Sequence, residues 1–250
     1  MGSAQSLSLI FLRGVLDMYK TAILVDGGFY RKRARFLWGA KTAEQRAVEL
    51  SAYCRAHLEE KNLPEPKYLY RIFYYDCEPV GRKSVYHPLT RKNVDLDKSD
   101  TYTWTTEFLE QLKRRRKFAL RLGRLSEQMN YNLKPSVTKE LCSGRRTLDS
   151  LTEDDFVFNI TQKGVDMKIG VDIASLAYKH QVDQIILIAG DSDFVPAAKL
   201  ARREGIDFVL DPMGVDIKDD LFEHIDGLKS FWKKPGKLRK KITAQVTENE

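Results

Sequence analysis

The sequence predicts an α/β fold with a Rossmann-like, mainly parallel sheet and helices on both of its faces. The first observation is that short apolar runs alternate with segments of helical periodicity along the chain, which is typical of βαβ units. The second is that two of the clearest runs, at 21–25 and 184–189, lead directly into acidic residues. In open α/β sheets the ligand site lies at the carboxyl ends of the strands, so this pattern also predicts where a site forms.

In the first half of the chain, apolar and aromatic runs predict strands at 21–25, 68–75 and 118–125. Helical spacing of apolar residues predicts one helix over 41–61 and a second over 104–116. Residues 130–160 are polar and basic, and we interpret them as an insertion or a small cap. Within them, Thr152 and Asp155 have the spacing of a helix capping box.

The second half of the chain has a clearer pattern. Periodicity predicts a helix over 165–180 and a strand over 184–189. A further helix over 194–203 ends before Gly205, and the strand 206–210 follows it. Strand and helix therefore alternate to the end of the predicted domain, as a parallel sheet requires.

Composition limits the classes of protein to which this chain can belong. A hydrophobic fraction of 42% is enough for a buried core, and no apolar run approaches the roughly 18 residues of a membrane span. Cys54, Cys77 and Cys142 are odd in number and far apart, so they indicate neither a disulfide framework nor a zinc site. This cysteine usage favours a cytoplasmic protein.

The predicted folded unit is a single domain at 18–232, with an insertion at about 77–161. Residues 1–17 are expected to be a flexible extension before Met18, and 233–250 a flexible basic tail. The net charge is +7, and Lys233–Lys241 alone carries six of the basic residues. This tail is either a solvated end or an arm that neutralises phosphates.

Four aspartates are predicted to converge at one edge of the sheet. Asp26 follows the first strand, and Asp191 and Asp193 follow the strand 184–189. Asp166 lies in the first turn of the helix 165–180, on the face that carries Ile169, so its carboxylate is expected to point inward at the same edge.

Carboxylates that converge without compensating charge repel one another and raise one another's pKa values. A hard divalent cation such as Mg²⁺ or Mn²⁺ resolves this repulsion, because it prefers oxygen ligands, and it suits phosphodiester hydrolysis. Taken singly, Asp-Gly-Gly is also a common turn and Asp-Ser-Asp a common helix cap. Asp172 falls on the same buried side but deeper, where a lone carboxylate needs a partner.

Three segments carry a resemblance to a known family: VDGGF at 25–29, QKGVDMKIGVDIASLA at 162–177 and IILIAGDSDFVPAAKLARREG at 185–205. They resemble the NYN domain of the LabA type, within the PIN-like nuclease superfamily. The resemblance implies a three-layer α/β/α nuclease acting on RNA with Mg²⁺ or Mn²⁺. The metal-binding and catalytic acids that it implies are Asp26, Asp166, Asp191 and Asp193. Asp172 matches a recurrent acid of the second segment, either as a ligand or as support for one.

Basic residues near the predicted site are candidates for RNA contacts, because Lys and Arg supply salt-dependent affinity for phosphates. Those near the acidic motifs, and those in the uncertain insertion, are Arg31, Arg33, Arg35, Lys163, Arg145 and Arg146. Phe29 and Tyr30 lie beside the first of them and could stack on unpaired bases. Each of these residues could equally belong to a solvated helix face or the core.

Three functions are open at the level of the sequence. The first is a metal-dependent endoribonuclease, and the second is a non-catalytic RNA-binding or regulatory module with the same fold. The third is a phosphatase acting on small phosphoesters, although the residues after Asp26 do not form a DxDx[TV] nucleophile motif. The expected partner is single-stranded or structured RNA, without membrane association, and a homo-oligomer is open.

Overall fold

The computed structural model describes residues 19–59, 67–81 and 83–231. The predicted extension at 1–17 and the predicted basic tail at 233–250 lie outside the described residues. Among the residues described, no helix is both long enough and apolar enough to cross a membrane.

The first elements alternate between strand and helix. They are β1 (Tyr19–Asp26), α1 (Gly27–Trp38), α2 (Ala43–Ala56), β2 (Lys67–Cys77), β3 (Ser84–His87), β4 (Lys92–Asp95), α3 (Asp100–Lys113) and β5 (Phe118–Leu125). The predicted strand at 118–125 is confirmed without change. The helix predicted over 104–116 begins at Asp100, because the Ser99 side chain caps it by accepting a hydrogen bond from the Tyr102 backbone amide.

The remaining elements follow in the same manner. They are β6 (Asn130–Leu133), α4 (Pro135–Cys142), β7 (Phe156–Asn159), β8 (Gln162–Lys163), α5 (Val165–Tyr178), β9 (Gln184–Ile188), α6 (Val195–Arg203), β10 (Asp207–Asp211), α7 (Asp219–Phe222) and β11 (Gly227–Leu228). The predicted helices and strands after residue 165 are confirmed within a few residues at each end. The predicted capping box at Thr152 and Asp155 is present, and it opens a single 3-10 turn.

Seven strands form one sheet in the order β11-β10-β9-β1-β2-β5-β8. Every neighbouring pair in it is parallel except β5 with β8. The central strand β1 pairs with β9 on one side and β2 on the other, so their carboxyl ends lie at the same edge. The prediction of a mixed α/β fold with a mainly parallel sheet is confirmed.

The core forms two clusters because side chains alternate between the faces of a strand. From β1, Ile23 and Val25 pack with residues of α1, α2 and α3. The intervening residues Ala22 and Leu24 pack with residues of α5 and α6. The sheet is therefore covered by helices on both sides, and its carboxyl edge lies between them.

Residues 77–161 contribute both to the main fold and to smaller units. Their middle part contains α3 and β5, which belong to the main core and the main sheet. The flanking parts form two small antiparallel sheets, β3 with β4 and β6 with β7. These share an aromatic cluster in which the buried His87 ring packs on Tyr131 and Phe156, with ring centroids 4.5 and 5.1 Å away.

Candidate functional site

Asp26 is the last residue of β1 and lies at the carboxyl edge of the sheet. Its carboxylate caps α1 by accepting a hydrogen bond from the Phe29 backbone amide at 3.1 Å. Burial raises the pKa of Asp26 to about 6, and the negative charges of Asp166 and Asp76 act in the same direction. The backbone N–H groups of Phe29 and Gly28 lower this pKa but offset only part of the rise. Ionised Asp26 is therefore incompletely compensated by the protein itself.

Asp166 lies in the first turn of α5, and it is exposed. The face predicted for it is present, since Ile169, Ile173 and Ala177 are buried and, at about 100° per residue, Asp166 falls between the last two. Its carboxylate does not point inward as predicted, because Asp166 lies in the first turn, at the end of the helix, and stays exposed. Its pKa is nevertheless raised, first by desolvation and then by the charges of Asp191 and Asp193. The second and third acidic motifs therefore interact electrostatically.

Asp191 and Asp193 lie in the loop that follows β9, and both are exposed. Asp191 caps the short 3-10 turn that begins this loop, where its Oδ1 accepts a hydrogen bond from the Asp193 amide at 3.2 Å. A positively charged side chain also contacts this loop, since Lys218 Nζ donates a hydrogen bond to Ser192 Oγ at 3.2 Å. Lys218 was missed by the sequence analysis, because it lies far along the chain and no local motif connects it to the acids.

The four predicted acids thus form an electrostatically coupled group at one edge of the sheet. Within the described ranges, no three His, Cys, Asp or Glu side chains are arranged to hold a metal ion directly. The donor set consists of carboxylate oxygens, which suit Mg²⁺ or Mn²⁺, and Mg²⁺ commonly keeps several of its waters. Burial and then neighbouring carboxylates raise the pKa values of Asp26 and Asp166, so the residues fit a divalent cation by charge and ligand type.

A fifth acid, Asp76, is buried near the end of β2 beside Asp26. Its oxygens accept hydrogen bonds from Tyr74 Oη at 2.9 Å, from Gln162 Nε2 at 3.1 Å and from the Cys77 amide at 2.8 Å. Arg31 Nη2 forms an ion pair with it at 3.0 Å. The sequence carries one signal for Asp76, because the predicted strand 68–75 ends directly before it, but Asp76 was not among the predicted site residues.

Arg31 was predicted as an RNA contact, and the structure places it inside the acidic group. Burial lowers the pKa of its guanidinium, but Tyr74, Asp76 and Asp26 together raise this pKa above its usual value. One nitrogen, Nη1, also donates to Thr105 Oγ1 at 3.4 Å. Arg31 therefore compensates the most buried acid of the group, and a contact with RNA remains a prediction.

Two glycines at this edge of the sheet allow close contact between neighbouring segments of the chain. A Cβ atom at Gly27 would lie 2.5 Å from Tyr74 Oη and 2.6 Å from the Tyr75 carbonyl oxygen. A Cβ atom at Gly190 would overlap the ring of Phe29. These glycines therefore allow α1 to begin directly at β2 and the loop after β9 to lie against α1.

Asp172 lies further along α5 than Asp166, away from the start of the helix. Its Oδ2 accepts hydrogen bonds from Tyr75 Oη at 2.8 Å and from Arg121 Nε at 2.9 Å. It lies six residues after Asp166, about 9 Å further along the helix axis at 1.5 Å per residue. The partner that the sequence analysis required for this carboxylate is therefore Arg121, together with a tyrosine hydroxyl.

Asp211, at the end of β10, is a further acid at this edge, and it is completely buried. It accepts hydrogen bonds from Tyr53 Oη at 2.5 Å and from Ser230 Oγ at 2.5 Å, and His57 Nε2 lies 2.8 Å from it. These contacts satisfy the carboxylate and connect α2, β10 and the end of the described chain. We therefore interpret Asp211 as a residue that stabilises the fold, unlike Asp166, Asp191 and Asp193, which are exposed.

The other basic residues predicted to contact RNA differ in their surroundings. Arg33 Nη2 donates to the Met213 carbonyl oxygen at 2.8 Å. Arg146 forms an ion pair with Asp155, with Nη2 and Oδ2 2.6 Å apart. The predicted residues that are exposed are Arg35, Lys163 and Arg145. Contact with RNA remains a prediction for each of them.

Comparison with known proteins identifies the family. The family model described as the NYN domain matches residues 88–215, just over half of the chain, which include Asp166, Asp191 and Asp193 but not Asp26. No curated protein matches the chain. One solved structure that it resembles is a protein of unknown function from Vibrio parahaemolyticus, 16% identical, with a TM-score of 0.40 over 84% of this chain and 91% of that one. By the match to its family model, the chain belongs to the NYN domain family, a family of PIN-like nucleases.

Proposed function

We propose that this protein is a metal-dependent endoribonuclease that hydrolyses RNA phosphodiester bonds with Mg²⁺ or Mn²⁺. The observation that carries the proposal is the electrostatic contact between acids of three separate motifs, since the charge of Asp166 helps to raise the pKa of Asp26 and the charges of Asp191 and Asp193 help to raise that of Asp166. Membership of a nuclease family supports the same reading. The proposed metal-binding and catalytic residues are Asp26, Asp166, Asp191 and Asp193.

These four carboxylates would hold the ion, which, when bound, would supply Lewis-acid chemistry suited to phosphodiester hydrolysis. The protein's own contribution is orientation. The Phe29 amide fixes Asp26, and the Asp193 amide fixes Asp191. Lys218, which contacts Ser192 in the same loop, is placed to neutralise part of the charge of a phosphate that enters beside the acids.

The buried ion pair of Arg31 and Asp76 helps to position the proposed metal-binding carboxylates. Gln162 Nε2 also donates to Asp76, and the Gln162 side chain lies beside Gly28 at the start of α1. We infer that the network of these residues fixes the first turn of α1, and with it the Asp26 carboxylate. A buried ion pair that loses one partner leaves an uncompensated charge, which is costly.

We assign Asp172 as support for the site, because Tyr75 and Arg121 already occupy its Oδ2. We expect Asp172→Asn to keep metal-dependent cleavage within about tenfold of the wild type and to lower the free energy of unfolding by about 1–3 kcal/mol. Chemical denaturation and an RNA-cleavage assay on the same preparation would measure both. If cleavage falls as far as in a variant of Asp191 while stability is unchanged, Asp172 is a ligand instead.

The same proposal covers the rest of the chain. Residues 18–232 would form one nuclease domain with the three-layer α/β/α arrangement of PIN-like proteins, and segments within 77–161 would border the substrate. The extension at 1–17 and the tail at 233–250 would lie outside this domain. We further propose a cytoplasmic location and an RNA partner, and leave a homo-oligomer open.

Two alternatives have different signatures. A non-catalytic RNA-binding or regulatory module would bind RNA without cutting it. A phosphatase acting on small phosphoesters would hydrolyse p-nitrophenyl phosphate, which a nuclease would leave intact. The retention of all four acids favours the nuclease over the binding module, because phosphate binding alone does not require clustered negative charge.

The experiment is incubation of the purified protein with labelled single-stranded RNA, a matched DNA and p-nitrophenyl phosphate, each with Mn²⁺, Mg²⁺ or EDTA. RNA fragments that appear only with metal, without p-nitrophenol release, would support the proposal. RNA binding without fragments would favour the binding module. Release of p-nitrophenol without RNA cleavage would favour the phosphatase.

A further inference from the structure

The exposed face of α1 combines basic and aromatic side chains. The helix contains four basic residues and no acidic one. Lys32 and Arg35 are exposed, and Phe36 is 76% exposed. Residues three and four apart are neighbours on a helix surface, so these three side chains form one continuous patch, which we call the α1 track.

Phe36 is supported from within the protein. The Arg33 guanidinium carbon lies 5.0 Å from the centroid of its ring, a distance at which the cation and the ring attract each other. Arg33 is itself anchored, because its Nη2 donates to the Met213 carbonyl oxygen at 2.8 Å. An exposed ring that rests on a fixed guanidinium is an oriented surface on which a planar group can stack.

The α1 track starts at the candidate site. Gly28 lies one helical turn before Lys32 on the same face, and a Cβ atom at Gly28 would lie 3.4 Å from Asp26 Oδ1. Eight residues separate Gly28 from Phe36, which is about 12 Å along the helix axis. A polymer with regularly spaced charges and flat bases could therefore extend from the acids along this face.

We propose that the α1 track binds the single-stranded part of an RNA substrate next to the scissile bond. Lys32 and Arg35 contact its phosphates, and Phe36 stacks on an unpaired base. The basic face complements the phosphate charge, and a base must be unpaired before its face can reach an aromatic side chain. The inference rests on the proposed function, because the track leads to the acids assigned to cleavage, and it adds the conformation of the substrate and the side chains that hold it.

The test measures the binding of labelled single-stranded RNA to the full chain by fluorescence anisotropy in EDTA, so that cleavage does not interfere. We expect Phe36→Ala to weaken binding by roughly 5- to 150-fold, the usual range for the loss of one stacked base. Phe36→Trp should restore the affinity, whereas Phe36→Leu should not, since leucine keeps the apolar surface but has no ring. Because Phe36 is exposed, these substitutions should leave thermal unfolding unchanged.

A matched control is Tyr178→Ala. Tyr178 is also an exposed aromatic, at 61%, but it ends α5 just before β9 begins, at the opposite edge of the sheet. This variant should bind RNA as the wild type does.

The phosphate contacts are tested by the salt dependence of binding. Changing both Lys32 and Arg35 to Gln should reduce the slope of the logarithm of the RNA-binding constant against log[salt] by about 1.4, at about 0.7 per phosphate. Phe36→Ala should leave that slope unchanged.

The proposal is overturned if the wild type binds no RNA, if Phe36→Ala binds as tightly as the wild type, or if fully paired duplex RNA shows an equal loss. It can fail independently of the nuclease assignment. Binding that depends on Phe36, without metal-dependent cleavage, would retain the track and reject the nuclease. Cleavage with no dependence of binding on Phe36 would do the reverse.

Discussion

Asp191→Asn is expected to lower metal-dependent RNA cleavage by at least about a hundredfold while the protein stays folded. Substitution of a residue that merely supports a metal ligand commonly costs about 10- to 100-fold, so loss of a proposed ligand should cost no less. The substitution should not disturb folding, because Asp191 is exposed and asparagine also caps helical turns well. The measurement is the initial rate of cleavage of labelled RNA over a titration of Mn²⁺.

Glu204→Gln is the matched control for this experiment. It removes one carboxylate at the end of α6, directly before β10, and therefore at the edge of the sheet opposite the acids. Its cleavage rate should equal that of the wild type. If Asp191→Asn keeps the wild-type rate at every metal concentration, Asp191 is not part of the catalytic machinery and the metal assignment fails.

Asp26→Asn is expected to stabilise the metal-free protein at neutral pH. The pKa of Asp26 rises from 3.8 to about 6 on folding, chiefly through burial and then through Asp166 and Asp76. Between these values the folded state binds more protons than the unfolded state, so the stability of the wild type falls as pH rises from about 4 to 6. The variant lacks this loss and should exceed the wild type at pH 7 by at most about 3 kcal/mol, at 1.36 kcal/mol per pKa unit.

Chemical denaturation in EDTA at several values between pH 4 and 7 would measure this effect. The two proteins should be equally stable near pH 4 and diverge as pH rises. Asparagine keeps the cap on α1, so the comparison isolates the charge. Mg²⁺ should stabilise the wild type more than the variant, since it binds the folded state. A variant that is less stable than the wild type at pH 7 in EDTA would contradict the prediction.

Asp155→Asn is a control that should change the free energy of unfolding at neutral pH in the opposite direction. The ion pair with Arg146, and then the Thr152 amide, lower the pKa of Asp155 to about 2. This carboxylate therefore contributes stability that is present at neutral pH and is lost as pH falls through the range between its usual pKa and about 2. Its removal should destabilise the protein at pH 7, where removal of the Asp26 charge should stabilise it.

Most of the fold could be predicted from local patterns in the sequence. The apolar runs at 21–25 and 184–189 became β1 and β9, which are neighbours in the sheet. This succeeded because strands buried on both faces need continuous apolar residues, and because parallel strands require helical crossovers between them. The same rule predicts from the sequence alone that Asp26 and Asp191 lie at one edge of the sheet.

The compensation of the charges at that edge depends on tertiary contacts that the sequence does not reveal. Asp76 is neutralised by Arg31, which lies 45 positions away, and Asp172 by Arg121, which lies 51 positions away. Side-chain pairs of this separation leave no periodic signal in a sequence, because they depend on which strands become neighbours. The exposure of Asp166 was also decided here, since local spacing gives the buried face of α5, shared with Ile169 and Ile173, but not whether the first turn of that face is covered.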